Sequence, residues 1–383
     1  MRQLKLIEFI NTHSNWEELL IKEPYNLKIT RDGDNVIFKY NQIASDFSNE
    51  IVKESRGIIL QQNEEGRFIP VCVPFFKFMN AEEPNSDLNK IDWKTASVQK
   101  KVDGSLIKVW YDKKNYKWMV STNGIIDAFK APLGIGGFET YGDLFKKATG
   151  FNSFTLFTDI LNENYTYMFE LVSPYNRVVI EYSSIEIYFL GYRDNVTLKE
   201  YMPETYLALS YHYPIPERYK LHTYEDVKNL ANTLPWSQEG FVICDANFNR
   251  VKVKSPEYVR AHFIRNNNVV TDEKLIEIIL ENEIDEFLIY AKDFKERLLY
   301  LKELKEKCIN EIEENIVKLN PNEFSSRKEL AQEININYPQ FMRSFLFNYN
   351  KGMEKYNNLT ASKWVDLLEK YKEWKGIDVK ENE

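Results

Sequence analysis

Gln99-Lys100-Lys101-Val102-Asp103-Gly104-Ser105-Leu106 runs a strand into a glycine-containing turn, and a second strand then leaves. Lys101 therefore stands at a strand end, where a side chain can be aimed into a cleft. Lysine is a nucleophile only when neutral, so desolvation or nearby cations must lower its pKa from about 10.4. An isolated Lys-x-Asp-Gly also describes an ordinary charged hairpin, so the segment gains meaning only with its neighbours. In Val251-Lys252-Val253-Lys254 the two-residue pleat puts Lys252 and Lys254 on one face, roughly 7 Å apart, with both valines on the other. Adjacent ammoniums repel unless an anion lies between them, and a phosphate chain is the natural occupant. The alternative is the solvated outer face of an edge strand.

Two carboxylates join these lysines. Glu239-Gly240-Phe241-Val242 opens the strand expected to pair with the lysine strand. A carboxylate there could hold Mg²⁺, directly or through water, because that ion bridges one or two carboxylates and substrate phosphates. Glu170 interrupts the apolar run Tyr167-Met168-Phe169-Glu170-Leu171-Val172. A buried carboxylate needs a partner, and a ribose hydroxyl serves as well as a protein donor. Taken singly, each glutamate also reads as a member of a structural ion pair.

The elements that position these residues are mostly strands. Ile107, Val109 and Tyr111 alternate with Leu106, Lys108 and Trp110, and Ile185, Ile187 and Phe189 alternate with Glu186 and Tyr188. That two-residue period predicts strands, and Asn247-Phe248-Asn249 predicts a hairpin turn between Phe241-Val242-Ile243-Cys244 and the lysine strand. Helices are expected around 12–22, 140–149 and 224–231. The fold class is α+β: a domain on antiparallel sheets over 1–265, followed by an all-α domain over 266–383. In the second domain Thr271 caps a start, and Phe294, Leu298, Leu301, Cys308, Ile312, Ile316 and Leu319 mark a long helix ending before Pro321. Ser326 with Glu329 predicts a capping box, Pro339 suits a first turn, and Thr360 precedes a last helix ending near Gly376.

Composition bounds the partners. Of 383 residues 43% are hydrophobic and 28% charged, ample for a packed core, and the net charge is −8. An acidic chain cannot coat nucleic acid broadly, so a polyanion must bind at a small local cationic site. Residues 271–383 hold 18 Lys+Arg against 24 Asp+Glu, whereas 1–270 hold 32 against 34. Cys72, Cys244 and Cys308 suit neither a disulfide framework nor a zinc cluster, so a reducing compartment is expected. The charge-interrupted N-terminus is a poor signal peptide, and no apolar run approaches the ~20 residues of a membrane span. A cytoplasmic protein without a membrane partner is expected.

In order along the chain, Lys-x-Asp-Gly, Phe-Glu-Leu-Val, Glu-Gly-Phe-Val and Val-Lys-Val-Lys resemble the covalent nucleotidyltransferases, the ATP-dependent ligases and capping enzymes. More narrowly, Glu54-Ser55-Arg56-Gly57-Ile58, Lys101-Val102-Asp103-Gly104-Ser105-Leu106 and Phe169-Glu170-Leu171-Val172-Ser173-Pro174-Tyr175-Asn176-Arg177 look like stretches of the bacteriophage T4 RNA ligase 1 family. Phe38-Lys39-Tyr40-Asn41, Lys77-Phe78 and Val253-Lys254-Ser255-Pro256-Glu257-Tyr258 extend the likeness, which covers roughly residues 36–290. The resemblance implies a nucleotidyltransferase domain in which Lys101 attacks the α-phosphorus of ATP and carries AMP. It implies catalytic parts for Asp103, Lys252 and Lys254, and nucleotide contacts from Tyr40, Arg56, Lys77, Lys252 and Lys254. Glu170 would take the ribose, Asp103 and Glu239 would act around the nucleophile and metal, and Asp285 is a further metal candidate. The implied cofactors are ATP and Mg²⁺ or Mn²⁺. The implied partner is RNA with 5′-phosphate and 3′-hydroxyl ends, such as cleaved tRNA, handled by a monomer in the cytoplasm, the host's if the chain is phage-encoded.

Two positions depart from the family. Its Lys-Phe-Phe-Asn is here Lys77-Phe78-Met79-Asn80, with a thioether in place of a base-stacking ring. Ser121-Thr122-Asn123-Gly124 has asparagine where relatives often carry lysine. Two rival functions fit the sequence less well. DNA ligases and mRNA capping enzymes carry a β-barrel domain after the lysine strand, whereas here that segment reads as helix. A non-catalytic RNA-binding protein would need more than scattered cations such as Arg327 and Lys328.

Overall fold

The alternation rule is clearest in the strand Arg250–Lys254. Val251 and Val253 are buried at 0% and 7% exposure, and Arg250, Lys252 and Lys254 occupy the other face. In the computed structural model, residues 3–42, 44–263, 270–281, 284, 287, 288 and 292–377 are described. The chain divides into two units, Met1–His262 and Phe263–Glu383.

In the first unit the strands are β1 (Lys28–Asp32), β2 (Asn35–Lys39), β3 (Arg56–Gln62), β4 (Phe68–Cys72), β5 (Ser97–Lys100), β6 (Ser105–Asp112) and β7 (Lys117–Ser121). A small hairpin, β8 (Pro132–Ile135) and β9 (Phe138–Thr140), precedes β10 (Tyr165–Val172), β11 (Glu186–Asp194), β12 (Glu200–Tyr201), β13 (Arg218–Tyr219), β14 (Gly240–Cys244) and β15 (Arg250–Lys254). They form three larger sheets, β1-β2-β3-β4, β12-β11-β10-β6-β7 and β13-β5-β14-β15, and every strand pairing is antiparallel.

Each sheet buries at least one face. In the β10–β6 sheet, Ile107, Phe169, Leu171 and Phe189 pack on Leu144, Phe145 and Phe157 of the helices Tyr141–Ala148 and Phe154–Thr158. Its opposite face carries Trp110 and Met119 against Ile37, Ile59 and Cys72 of the first sheet. Strand β6 is therefore covered on both sides, and Lys108 is 0% exposed. In the third sheet Val98, Phe241, Ile243, Val251 and Val253 pack on Val227 and Ala231 of the helix Tyr224–Ala231.

Described helices of the second unit follow their caps. Thr271 accepts from the Lys274 amide at the start of Asp272–Leu280. Leu298, Leu301, Leu304, Cys308, Ile312 and Leu319 are buried along Lys295–Leu319, which Asn320 ends in the left-handed region. Thr360 and Gly376 bound Ala361–Lys375. One cap differs from expectation: the Ser326 hydroxyl accepts from the Glu329 amide, but the Glu329 carboxylate turns to the amide and hydroxyl of Ser325, so the box is half formed.

Two glycines permit close approaches beside the cleft. A Cβ on Gly104 would sit 2.4 Å from the Leu171 carbonyl oxygen. Gly240 has φ of +134°, and a Cβ there would sit 2.1 Å from the Val253 oxygen, inside the β14–β15 ladder. Gly240→Ala should cost about 3 kcal/mol through clash and backbone strain. Chemical denaturation checks this, and an unfolding midpoint equal to wild type would contradict it.

Candidate active site

A cleft of about 340 Å³ lies in the first unit, its wall formed by residues of all three larger sheets. The eight residues Tyr40, Arg56, Lys77, Lys101, Glu170, Glu239, Lys252 and Lys254, expected from sequence at a nucleotide, all line it. They come from segments as far apart as Tyr40, just after β2, and Lys254 on β15, so it is the fold that gathers them. Lys100 and Arg250 bring the basic residues in its wall to seven, against the two carboxylates Glu170 and Glu239. Such an excess in a concave, partly dry site focuses positive potential and selects a polyanionic ligand.

Strand β5 places Lys101. The ladder continues one residue past Lys100, with the Lys101 amide donating to the Gly240 carbonyl at 2.8 Å. Its ammonium donates to Glu239 Oε2 at 2.7 Å, and Lys254 Nζ lies 3.8 Å from Glu239 Oε1. Glu239 is 4% exposed, while the Lys101 and Lys254 side chains retain 22% and 14% exposure toward the cleft. The Glu239 carbonyl in turn accepts from the Ser255 amide at 2.8 Å, which ties the carboxylate to the end of the lysine strand. One buried carboxylate thus orders two ammoniums.

Other cations are held by aromatic rings and backbone. Lys77 Nζ lies 5.2 Å from the Tyr40 ring centroid and 4.9 Å from that of Phe47, and its amide donates to the Lys53 carbonyl. The Arg56 guanidinium sits 5.4 Å from the Phe78 ring. Arg56 Nη1 and Asn123 Oδ1 are buried without a hydrogen-bond partner. Phe78 lines the cleft, whereas Met79 is 5% exposed and its carbonyl accepts from the Lys252 amide. The thioether therefore occupies core, and the aromatic surface on the cleft comes from Tyr40, Phe75 and Phe78.

Glu170 sits on β10 between Leu106 and Tyr188 of the flanking strands. Burial, with Glu239 and Asp103 adding repulsion, pushes its carboxyl up to about 7 against the opposing pull of Lys101 and Arg56.

Asp103 does not line the cleft. It is 4% exposed and accepts from the Val179 and Ile180 amides at 3.0 and 2.8 Å and from the Tyr258 hydroxyl at 2.9 Å. The Tyr258 ring lies 5.8 Å from Lys254 Nζ, so Asp103 reaches the cleft by anchoring that ring. Asp285 lies outside the described residues. Among the described residues no group of three or more His, Cys, Asp or Glu could hold a metal ion. Glu170 and Glu239 are the carboxylates on the cleft, so a divalent ion there would take its remaining ligands from phosphate oxygens and water.

One partnership at the site emerges only from the fold. Arg250 continues the series of Lys252 and Lys254 on one strand face, a signal visible in sequence. Its partner is not: Glu200 on β12 pairs with Arg250 at 2.5 Å and also with Arg193. Burial works to raise the Glu200 pKa, but the two guanidiniums outweigh it and hold the carboxyl below its ordinary value. Arg250 also lies 4.5 Å from the Phe75 ring, so the pair joins β12 and β15 across the apolar side of the cleft.

The RNA ligase family of the T4 RNA ligase 1 type matches residues 54–258, and the chain belongs to it. An RNA ligase of Rhodothermus phage RM378 is 27% identical over 74% of this chain and 76% of its own length. A putative bifunctional polynucleotide kinase/RNA ligase of Autographa californica nuclear polyhedrosis virus is 27% identical over 71% of this chain, which spans only 40% of that relative. An archaeal ATP-dependent RNA ligase structure superposes with a TM-score of 0.47 at 13% identity, covering 91% of this chain and 99% of that one. No helix among the described residues is long and apolar enough to cross a membrane.

The Glu170 environment predicts a pH signature. Its folded pKa lies above its ordinary value of 4.5, so the folded state binds the proton more tightly. The associated stability is fully present below pH 4.5 and is lost as pH rises through about 7. Melting temperatures of wild type should therefore fall over that interval relative to Glu170→Gln; parallel curves would contradict it.

Proposed function

We propose that this chain is an ATP-dependent RNA ligase that joins 5′-phosphate and 3′-hydroxyl ends through a lysyl-AMP on Lys101. The observation that carries the reading is the Lys101–Glu239–Lys254 arrangement, 2.7 and 3.8 Å, opening onto a cleft lined by seven basic residues. Family membership supports it.

Lys101 first gives up a proton, for which the Glu239 carboxylate is the adjacent acceptor. Its nitrogen lone pair then forms a bond to the α-phosphorus of ATP as the α–β bridging P–O bond breaks and pyrophosphate leaves. An oxygen of the RNA 5′-phosphate next attacks the same phosphorus, the P–N bond breaks, and Lys101 recovers its proton. In the last step the 3′-hydroxyl attacks the 5′-phosphorus, loses its proton, and AMP leaves. Every step gathers negative charge at phosphorus, where Lys252 and Lys254 stand on one strand face to neutralise it. Mg²⁺ or Mn²⁺ held by Glu239 and phosphate oxygens would add to that neutralisation. Glu170, kept partly protonated near neutral pH, can donate to or accept from a ribose hydroxyl.

The reading extends to RNA repair, with cleaved tRNA as the substrate class, a monomer acting in the cytoplasm, and a helical domain from 266 onward selecting the RNA. Wild type incubated with α-labelled ATP and a divalent ion should retain label through denaturing electrophoresis, and Lys101→Ala should retain none. Circularisation of 5′-phosphorylated RNA should then outpace sealing of nicked DNA. An unlabelled wild type, or preference for the nick, would overturn the reading.

A further inference from the structure

We propose that Lys108 is a positioning residue for the polyphosphate of the nucleotide. It braces the Arg56–Asn123 wall of the cleft and places a concealed positive charge behind it. The proposal rests on the reading of the cleft as a nucleotide site.

Lys108 is 0% exposed, and its ammonium donates to the carbonyl of Gly57, the residue after Arg56. Lys108 Nζ and the Asn123 backbone oxygen lie 2.9 and 2.7 Å from the point a Gly57 Cβ would occupy, so β6, β3 and the turn after β7 converge there. Gly57 itself has φ of +81°, a conformation that glycine adopts without strain. Arg56 and Asn123 both line the cleft, and each carries a buried polar atom without a hydrogen-bond partner, Nη1 and Oδ1. A 180° turn of the Asn123 amide presents Nδ2 in place of Oδ1, a donor in place of an acceptor.

A fully buried ammonium ordinarily recruits a carboxylate. The groups that act most on Lys108 are instead Arg56 on β3, Lys39 on β2 and Cys72 on β4, and two of these are cations. Burial pushes the Cys72 thiol up to about 11, so it carries no compensating charge near neutrality. Arg56 on the cleft wall is thus backed by the ammoniums of Lys108 and Lys39, and an arriving anion relieves their repulsion. Burial, with Arg56 and Lys39 adding to it, lowers the Lys108 pKa to about 8. A bound polyphosphate favours the ammonium, so its grip weakens as pH rises through about 8.

The test measures self-adenylylation against ATP concentration at pH 7 and pH 9 for wild type, Lys108→Met and Lys108→Arg. Sealing of pre-adenylylated RNA, which brings no polyphosphate into the cleft, is followed in parallel. Lys108→Met should raise the KM for ATP about tenfold at pH 7 and less at pH 9, while the sealing rate falls about twofold. Lys108→Arg should recover much of the pH 7 affinity and lose the pH dependence. Equal losses in both reactions would reduce Lys108 to core packing, and an unchanged KM would remove any role. Should the variants fail to fold, a wild-type KM for ATP that does not rise between pH 7 and 9 overturns the proposal. A wild type that takes no label from ATP defeats the underlying site reading instead, which is a distinguishable outcome.

Discussion

Glu239 is 4% exposed and has a lysine ammonium facing each of its carboxylate oxygens, Lys101 at 2.7 Å and Lys254 at 3.8 Å. An isolated carboxylate so deeply placed would be strongly disfavoured, and removing one member of a buried pair typically costs about 3–5 kcal/mol. The arrangement requires β5, β14 and β15 to be neighbours in one register. Lys101 extends β5, Glu239 opens β14, and Lys254 closes β15 opposite Gly240. A one-residue slip of β15 would turn its lysines into the core and its valines toward the cleft. The ion cluster and the hydrophobic face formed by Val251 and Val253 therefore specify the same register.

The charge distribution follows from this local order. The chain carries −8 overall, yet the cleft is lined by seven basic residues and two carboxylates. Ionic strength in a cell screens charges beyond roughly 8 Å, so a ligand in the cleft responds mainly to the charges that line it. The apolar side of the same cleft, with Leu106, Leu190, Phe75 and Phe78, suits the uncharged part of a nucleotide. A small, well-ordered cationic site is compatible with an acidic protein, whereas a broad coating surface is not.

Much of this was legible in the sequence because it depends on local period and order. The alternation of Val251 and Val253 with Lys252 and Lys254 predicted the two faces that the structure has. Thr271 and Thr360 marked helix starts, whereas the close approaches at Gly104 and Gly240 show only in the fold. What was hidden depends on contacts between distant segments. Glu200 meets Arg250 from a two-residue strand that no periodicity flags. Asp103 looked like a group near the reacting atoms, but its three hydrogen bonds tie it to Val179, Ile180 and Tyr258. Lys108 alternates like any strand lysine, and only the covering of both faces of β6 shows that its charge is buried. The asparagine at 123 was visible as a departure; that a neighbouring strand supplies an ammonium beside it was not.

The central claim is that Lys101, among the lysines that crowd this cleft, is the one that carries the nucleotide. Peptide mapping by mass spectrometry, after incubation of the wild-type protein with ATP and a divalent ion, tests it most directly. The account predicts an adenylyl group on Lys101 and on no other lysine of the cleft. An adduct on Lys100, Lys252 or Lys254, or the absence of any adduct, would contradict it.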